Sequence, residues 1–316
     1  MSNDHASLCQ ALQGLILQDA RVDGAESLFS DVMGKLKQAG GYVGDEALKG
    51  ITQATKAAIT GIVKTLGTRR MMIGHLHNRL GKDPLKSELT FNAALLKKIT
   101  RTGKPDDIID GLDALQKTME LIKSFLQDVE VYSSKELALL DRINSVKTTD
   151  DAVRLLDGFE ALIFPHVKLP EHSAKSSVSD DLPGGKTIWY NETNNKLSLM
   201  NVESPGEEVT ESFAESDVKT ILTKLNKLVE IYQYVVKALN QYESYMKKFN
   251  TVLSKSFAHL DVLKGTLSAS LLADMRSHLE GNAKVFALYS GFLPQLMIYI
   301  DDYVDTLSSY LSKQFN

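Results

Sequence analysis

Cysteine is nearly missing from this chain: Cys9 stands alone in 316 residues. One thiol excludes an intramolecular disulfide framework and cannot by itself build a cysteine-based metal site. A reducing compartment is the simplest context. Proline is scarce as well, with 7 residues. An interior proline would remove a hydrogen bond and clash with the preceding turn, so its scarcity permits long helices. Asp4 lies near the start and no Lys or Arg precedes Arg21, which argues against a secretory signal. The longest uncharged stretch, Val285–Ile300, contains Gly291, Pro294 and Gln295. It falls short of a membrane span and reads as a kinked, buried helix. No membrane association is expected.

What is present is an ordinary globular composition, 43% hydrophobic and 24% charged, with none of the depletion that marks disorder. Apolar residues recur at three- and four-residue steps along most of the chain, the signature of amphipathic helices. Ile108, Leu112, Leu115, Met119, Ile122, Leu126 and Val129 predict one helix of roughly 26 residues, about 39 Å long. Pro105, Asp106 and Asp107 suit its first turn. Ser133-x-x-Glu136 is a capping-box pattern that would open a further helix, and Thr149 is the expected cap of the next. Ser216 is expected to cap the longest pattern, which runs from Val218 to Leu253, and Ser268 a short helix before Gly281.

Helical spacing breaks down between Pro165 and Gly185. Lys186–Tyr190 and Lys196–Met200 then flank a polar turn containing Asn194 and Asn195, a hairpin pattern. A lone hairpin is marginal in water, so it should pack on the helices through Ile188 or Trp189. Leu89–Phe91 reads as a brief extended piece. The expected fold is mainly α, a long-helix bundle with one small β-hairpin unit before the C-terminal helices. Four regions follow: an N-terminal segment 1–26, a helical region 27–163, a linker 164–215 with hairpin and acidic loop, and a long-helix region 216–316.

Catalytic and metal-binding patterns are hard to find. Asp180-Asp-Leu-Pro-Gly-Gly-Lys-Thr187 superficially matches a phosphate loop. That motif needs Gly where Asp180 stands and a helix afterwards, and a strand pattern follows instead. His75 and His77 diverge if helical and lack a completing ligand pattern. There is no Gly-x-Ser-x-Gly elbow and no recognisable Cys–His nucleophile pattern. The reading is a protein that binds and assembles, not an enzyme, with no cofactor and no metal.

Charge is uneven although its net value is −4. Residues 56–104 hold eleven Lys and Arg against Asp83 and Glu88, a surplus of nine. Residues 203–217 carry six acidic side chains and no basic one. Lys64, Arg69, Arg70, Arg79, Lys82, Lys86, Lys97, Lys98, Arg101 and Lys104 could meet phosphates or an acidic partner, or form a solvated face. Phe91 is the region's one aromatic residue, so base stacking is not suggested. Electrostatic nucleic-acid binding through 56–104 is the alternative function.

Three features together resemble the internal head proteins, or inner virion structural proteins, of large-genome tailed phages. The first is a short N-terminal segment ending at Gly24, Ala25, Glu26 and Ser27, which looks like a prohead-protease processing site. The second is the block Arg79-Leu80-Gly81-Lys82, Leu89-Thr90-Phe91, Thr102-Gly103-Lys104 and Ile109-Asp110-Gly111-Leu112, followed by a long helix. The third is Leu182-Pro183-Gly184-Gly185-Lys186-Thr187-Ile188, opening the β unit before Tyr-rich helices. The resemblance is one of layout over most of the chain. It implies a structural protein made in the host cytoplasm and packaged inside the phage head, with ejection alongside the genome as a further role. It also implies contacts with other head proteins or packaged DNA, and cleavage after Glu26.

Overall fold

The computed structural model describes residues 60, 63, 65–86, 89–193, 195–202, 209–211, 213–281, 285 and 288–315. Gly24, Ala25, Glu26, Ser27 and Lys64, with the helical patterns expected before residue 60, lie outside the described residues. Helix α1 covers 65–79. Strand β1, Leu89–Phe91, leads into α2, Ala93–Ile99, and then α3, Asp107–Arg142. Helix α4, Thr149–Glu160, precedes β2 (Glu171–Ser173), β3 (Ser176–Val178), β4 (Lys186–Asn191), β5 (Lys196–Asn201) and β6 (Val209–Glu211). Helix α5, Glu215–Val262, α6, Ala269–Gly281, a π segment Leu288–Phe292 and α7, Leu293–Ser312, complete the described chain. The protein is mainly helical with a small β unit.

Three helices differ in extent or cap from the periodicity reading; α5 opens at Glu215, so Ser216 lies inside its first turn and is not its cap, and it runs on to Val262. Ser133 does not open a new helix, because α3 runs unbroken for 36 residues. Ser133 is 6% exposed and Glu136 4% exposed, so both face inward where a capping pair would need a free helix end. The cap of α4 is Thr148 and not Thr149. The Thr148 side chain accepts from the Asp151 amide, and Asp151 reaches back to the Thr148 N–H, which satisfies two otherwise orphaned donors. The interruption expected near Gly291 and Pro294 is the π segment, after which the proline sits in the first turn of α7.

The β unit is larger than a hairpin. β4 and β5 pair antiparallel from Lys186↔Asn201 to Asn191↔Lys196, as their alternation demands, and Asn195 takes φ 51° in the turn. β3 then adds to the other edge of β4, and β2 to β3, giving the order β2-β3-β4-β5. Ile188 and Tyr190 point into the core, while Trp189 is half-buried with the His172 ring 4.6 Å from it, edge to face. β1 pairs antiparallel with β6 in a separate two-stranded ladder.

The chain divides into two compact units, each assembled from separated stretches of sequence. The described residues of one fall within 124–166 and 238–291. Its aromatic centre joins Phe125, Tyr132 and Phe164, with Phe164 edge-on to both partners at 6.1 and 5.1 Å. Ser256 donates to the Leu140 carbonyl, and the His259 ring nitrogen Nε2 lies 2.8 Å from the Val146 carbonyl oxygen. The other unit spans 57–123, 167–237 and 292–316. It contains strands β1–β6, and its core includes Leu96, Ile108, Leu112, Ile188, Leu225 and Ile300, all fully buried.

Candidate functional site

Two of the sequence blocks behind the resemblance, 102–112 and 182–188, meet in the second unit. Helix α2 is capped by Asn92, whose side chain accepts from the Leu95 amide, and it stops at Thr100 in extended conformation. The Thr100 hydroxyl donates back to the Leu96 carbonyl and accepts from the Gly103 amide, with Gly103 at φ 79°. The Arg101 and Thr102 amides then donate to the Asp107 carboxylate, which also pairs with the Arg101 guanidinium. Asp107 is 7% exposed and opens α3, where a negative charge suits the helix dipole.

Residues 182–186 dock on this turn. The Gly184 amide donates to the Thr100 carbonyl at 3.0 Å, and the Tyr299 hydroxyl to the Pro183 carbonyl at 2.7 Å. Gly184 has φ +75°, and a Cβ there would lie 3.1 Å from the Lys98 carbonyl oxygen. A Cβ on Gly111 would lie 3.1 Å from Pro183 Cγ. Both glycines are needed for close approach. The stretch that superficially matched a phosphate loop is thus a turn closed by the Leu182–Lys186 bridge, and its Gly184 N–H is engaged internally.

The proposed basic residues separate into two groups. Arg69 pairs with Asp301 and Asp305, which lie one turn apart on α7. Burial alone would lower its pKa, but the Asp301 hydrogen bond and both carboxylates outweigh this and hold it above the ordinary arginine value. Arg79 pairs with Asp83 and lies over the Phe315 ring. Arg101 is held above its ordinary pKa chiefly by its Asp107 hydrogen bond. Arg70, Lys82, Lys86, Lys97, Lys98 and Lys104 are exposed. Asp301 and Asp305 escaped the sequence reading, although carboxylates four apart after the apolar first half of α7 were the available signal.

Tyr232, Tyr242, Tyr289, Tyr303 and Tyr310 of the C-terminal part are buried. In the first unit Tyr242 stacks on Tyr289 with centroids 4.5 Å apart, beside a cavity of about 240 Å³. Burial first, then Glu136, pushes the Tyr132 phenol well above its ordinary pKa. Among the described residues no group of three or more His, Cys, Asp and Glu is placed to hold a metal ion, and no helix is long and apolar enough to cross a membrane. Comparison with known proteins finds no matching family model, no matching curated protein and no matching solved structure.

Proposed function

We propose that this chain is an internal structural protein of a tailed-phage head, acting through assembly contacts with other head proteins and packaged DNA. One observation supports it above the rest: the blocks behind the resemblance, 102–112 and 182–188, meet in a single packing junction. Their glycines, Asp107 and Pro183 serve close approach and backbone satisfaction. Such roles are in keeping with a scaffold. Helices α3 and α5, at 36 and 48 residues, suit a part that presents long surfaces to neighbours.

A mass-spectrometric inventory of purified particles from the source organism tests this reading. The expected result is abundant peptides from this chain, beginning at Ser27 because a prohead protease has cut after Glu26. Absence of the chain from intact particles rejects the function. Recovery with Met1 or Ser2 at the N-terminus rejects the processing step alone.

A second reading, electrostatic binding of nucleic acid, is favoured by the six exposed cations among the described residues of the basic region. It is compatible with a place beside packaged DNA.

A further inference from the structure

The C-terminal end of α7 and the segment around β1 enclose a cleft of about 660 Å³ in the second unit. That volume lies within the range of small-molecule sites, roughly 300–1,000 Å³. Asp305, Thr306, Ser309, Tyr310 and Lys313 recur at helical spacing and line one wall, and Lys86, Thr90, Asn92 and Leu95 line the other. The walls are joined by backbone: Leu85 bridges Phe315, and the Lys86 amide donates to the Gln314 carbonyl at 2.9 Å. Two lysines far apart in sequence are thereby brought to one cleft.

The charge balance favours an anion. Lys86 and Lys313 are both exposed there. Among the described residues that line the cleft Asp305 is the one acidic side chain, and Arg69 already pairs with it. Tyr310 supplies the second, independent observation. It is 9% exposed, its ring is 4.7 Å from that of Phe91, and its buried hydroxyl has no hydrogen-bond partner. Burial pushes this phenol well above its ordinary pKa, so it remains a neutral donor. A buried donor left unsatisfied costs stability, and an oxyanion in the cleft would relieve that cost.

We propose that this cleft binds a small phosphorylated, hydroxyl-bearing molecule, its phosphate held by Lys86, Lys313 and the Tyr310 hydroxyl. A phosphate monoester carries about −1.5 to −2 charges at neutral pH, which matches two ammonium groups where a carboxylate would match one. The hydroxyls of Thr90, Thr306 and Ser309 and the amide of Asn92 are suited to sugar hydroxyls. This site does not depend on the assembly function.

Titration calorimetry of the full chain with ribose 5-phosphate, and with ribose as the control lacking phosphate, tests the proposal. Saturable binding of the phosphate ester alone is expected. It should weaken about tenfold or more in Lys86→Glu, Lys313→Glu and Tyr310→Phe, as expected for loss of bonds to a charged group. Tyr310→Phe keeps the ring, and both lysines are exposed, so folding checked by circular dichroism should be unchanged. Lys104→Glu, a charge reversal at an exposed residue that does not line the cleft, should bind as the unaltered chain does. No saturable binding overturns the proposal, as does equal weakening by Lys104→Glu or no effect from the three cleft substitutions. Retention of duplex DNA through Lys86 and Lys313 without any binding of ribose 5-phosphate also overturns it, and assigns the lysines to backbone phosphates.

Discussion

Gly184 carries more of the fold than its size suggests. At φ +75° it occupies a conformation that costs an L-residue roughly 1–2 kcal/mol. A methyl group there would also press on the Lys98 carbonyl oxygen, which is backbone and cannot swing aside. Gly184→Ala should therefore lower stability by about 1–3 kcal/mol, read as a shifted denaturation midpoint in urea. An unchanged midpoint would show that the 182–186 turn docks less closely than described. Sequence alone placed Gly184-Gly185 at the end of a break in helical spacing, just before a strand pattern. It did not reveal that Thr100 and Lys98, more than eighty residues earlier (a separation of at least 84 in the numbering), are what that turn packs against.

Between elements, the contact of α4 with α6 contains a titratable group. The His278 ring stacks on Phe159 with centroids 4.3 Å apart and planes 11° from parallel. Burial lowers the His278 pKa, and Asp274 and Glu160 offset only part of that effect. Below about pH 6.5 the unfolded chain takes up the proton first. Stability tied to His278 is therefore complete above that pH and declines as pH falls toward the folded value, below which it levels off. Urea denaturation at pH 7.5 and at mildly acidic pH should show a fall that is smaller in His278→Gln. Identical pH dependence in both chains would remove His278 from this role.

At the scale of the whole molecule, the surplus of nine positive charges in 56–104 overstates what reaches solvent. Arg69, Arg79 and Arg101 pair with carboxylates of the protein itself. Any DNA binding should come from the exposed cations and be indifferent to sequence, because phosphate contacts carry affinity without base readout. If about four of them meet duplex phosphates, the log–log salt slope should be about −3.6. Replacing Arg70, Lys82, Lys97 and Lys98 by Glu should abolish retention without loss of helicity. Arg69 is unsuited to such a test, since reversing it would place a third negative charge beside Asp301 and Asp305. Undiminished retention by the folded variant would sink this surface, and tight, salt-insensitive binding to one sequence would sink the mechanism.

The sequence by itself determined the elements whose signals are short-ranged. The apolar stripes define α3 and α5, Ser268 caps α6 through the Leu271 amide, and alternation with a polar turn specifies β4 and β5. Each depends on neighbours within a turn or two, where periodicity and capping chemistry operate. Tertiary structure decided the rest. Burial of the flanking apolar residues Val129 and Leu140 carried α3 through a capping pattern, with Ser133 and Glu136 inside the helix. The short strands β2 and β3, Glu-His-Ser and Ser-Ser-Val, have little intrinsic strand signal, and β3 is held by pairing with β4. Arg69 finds Asp301 across 232 positions, and Lys86 finds the residues beside Lys313 through one backbone bridge. Such pairings depend on where the folded backbone brings distant segments, a quantity that residue spacing along a chain does not contain.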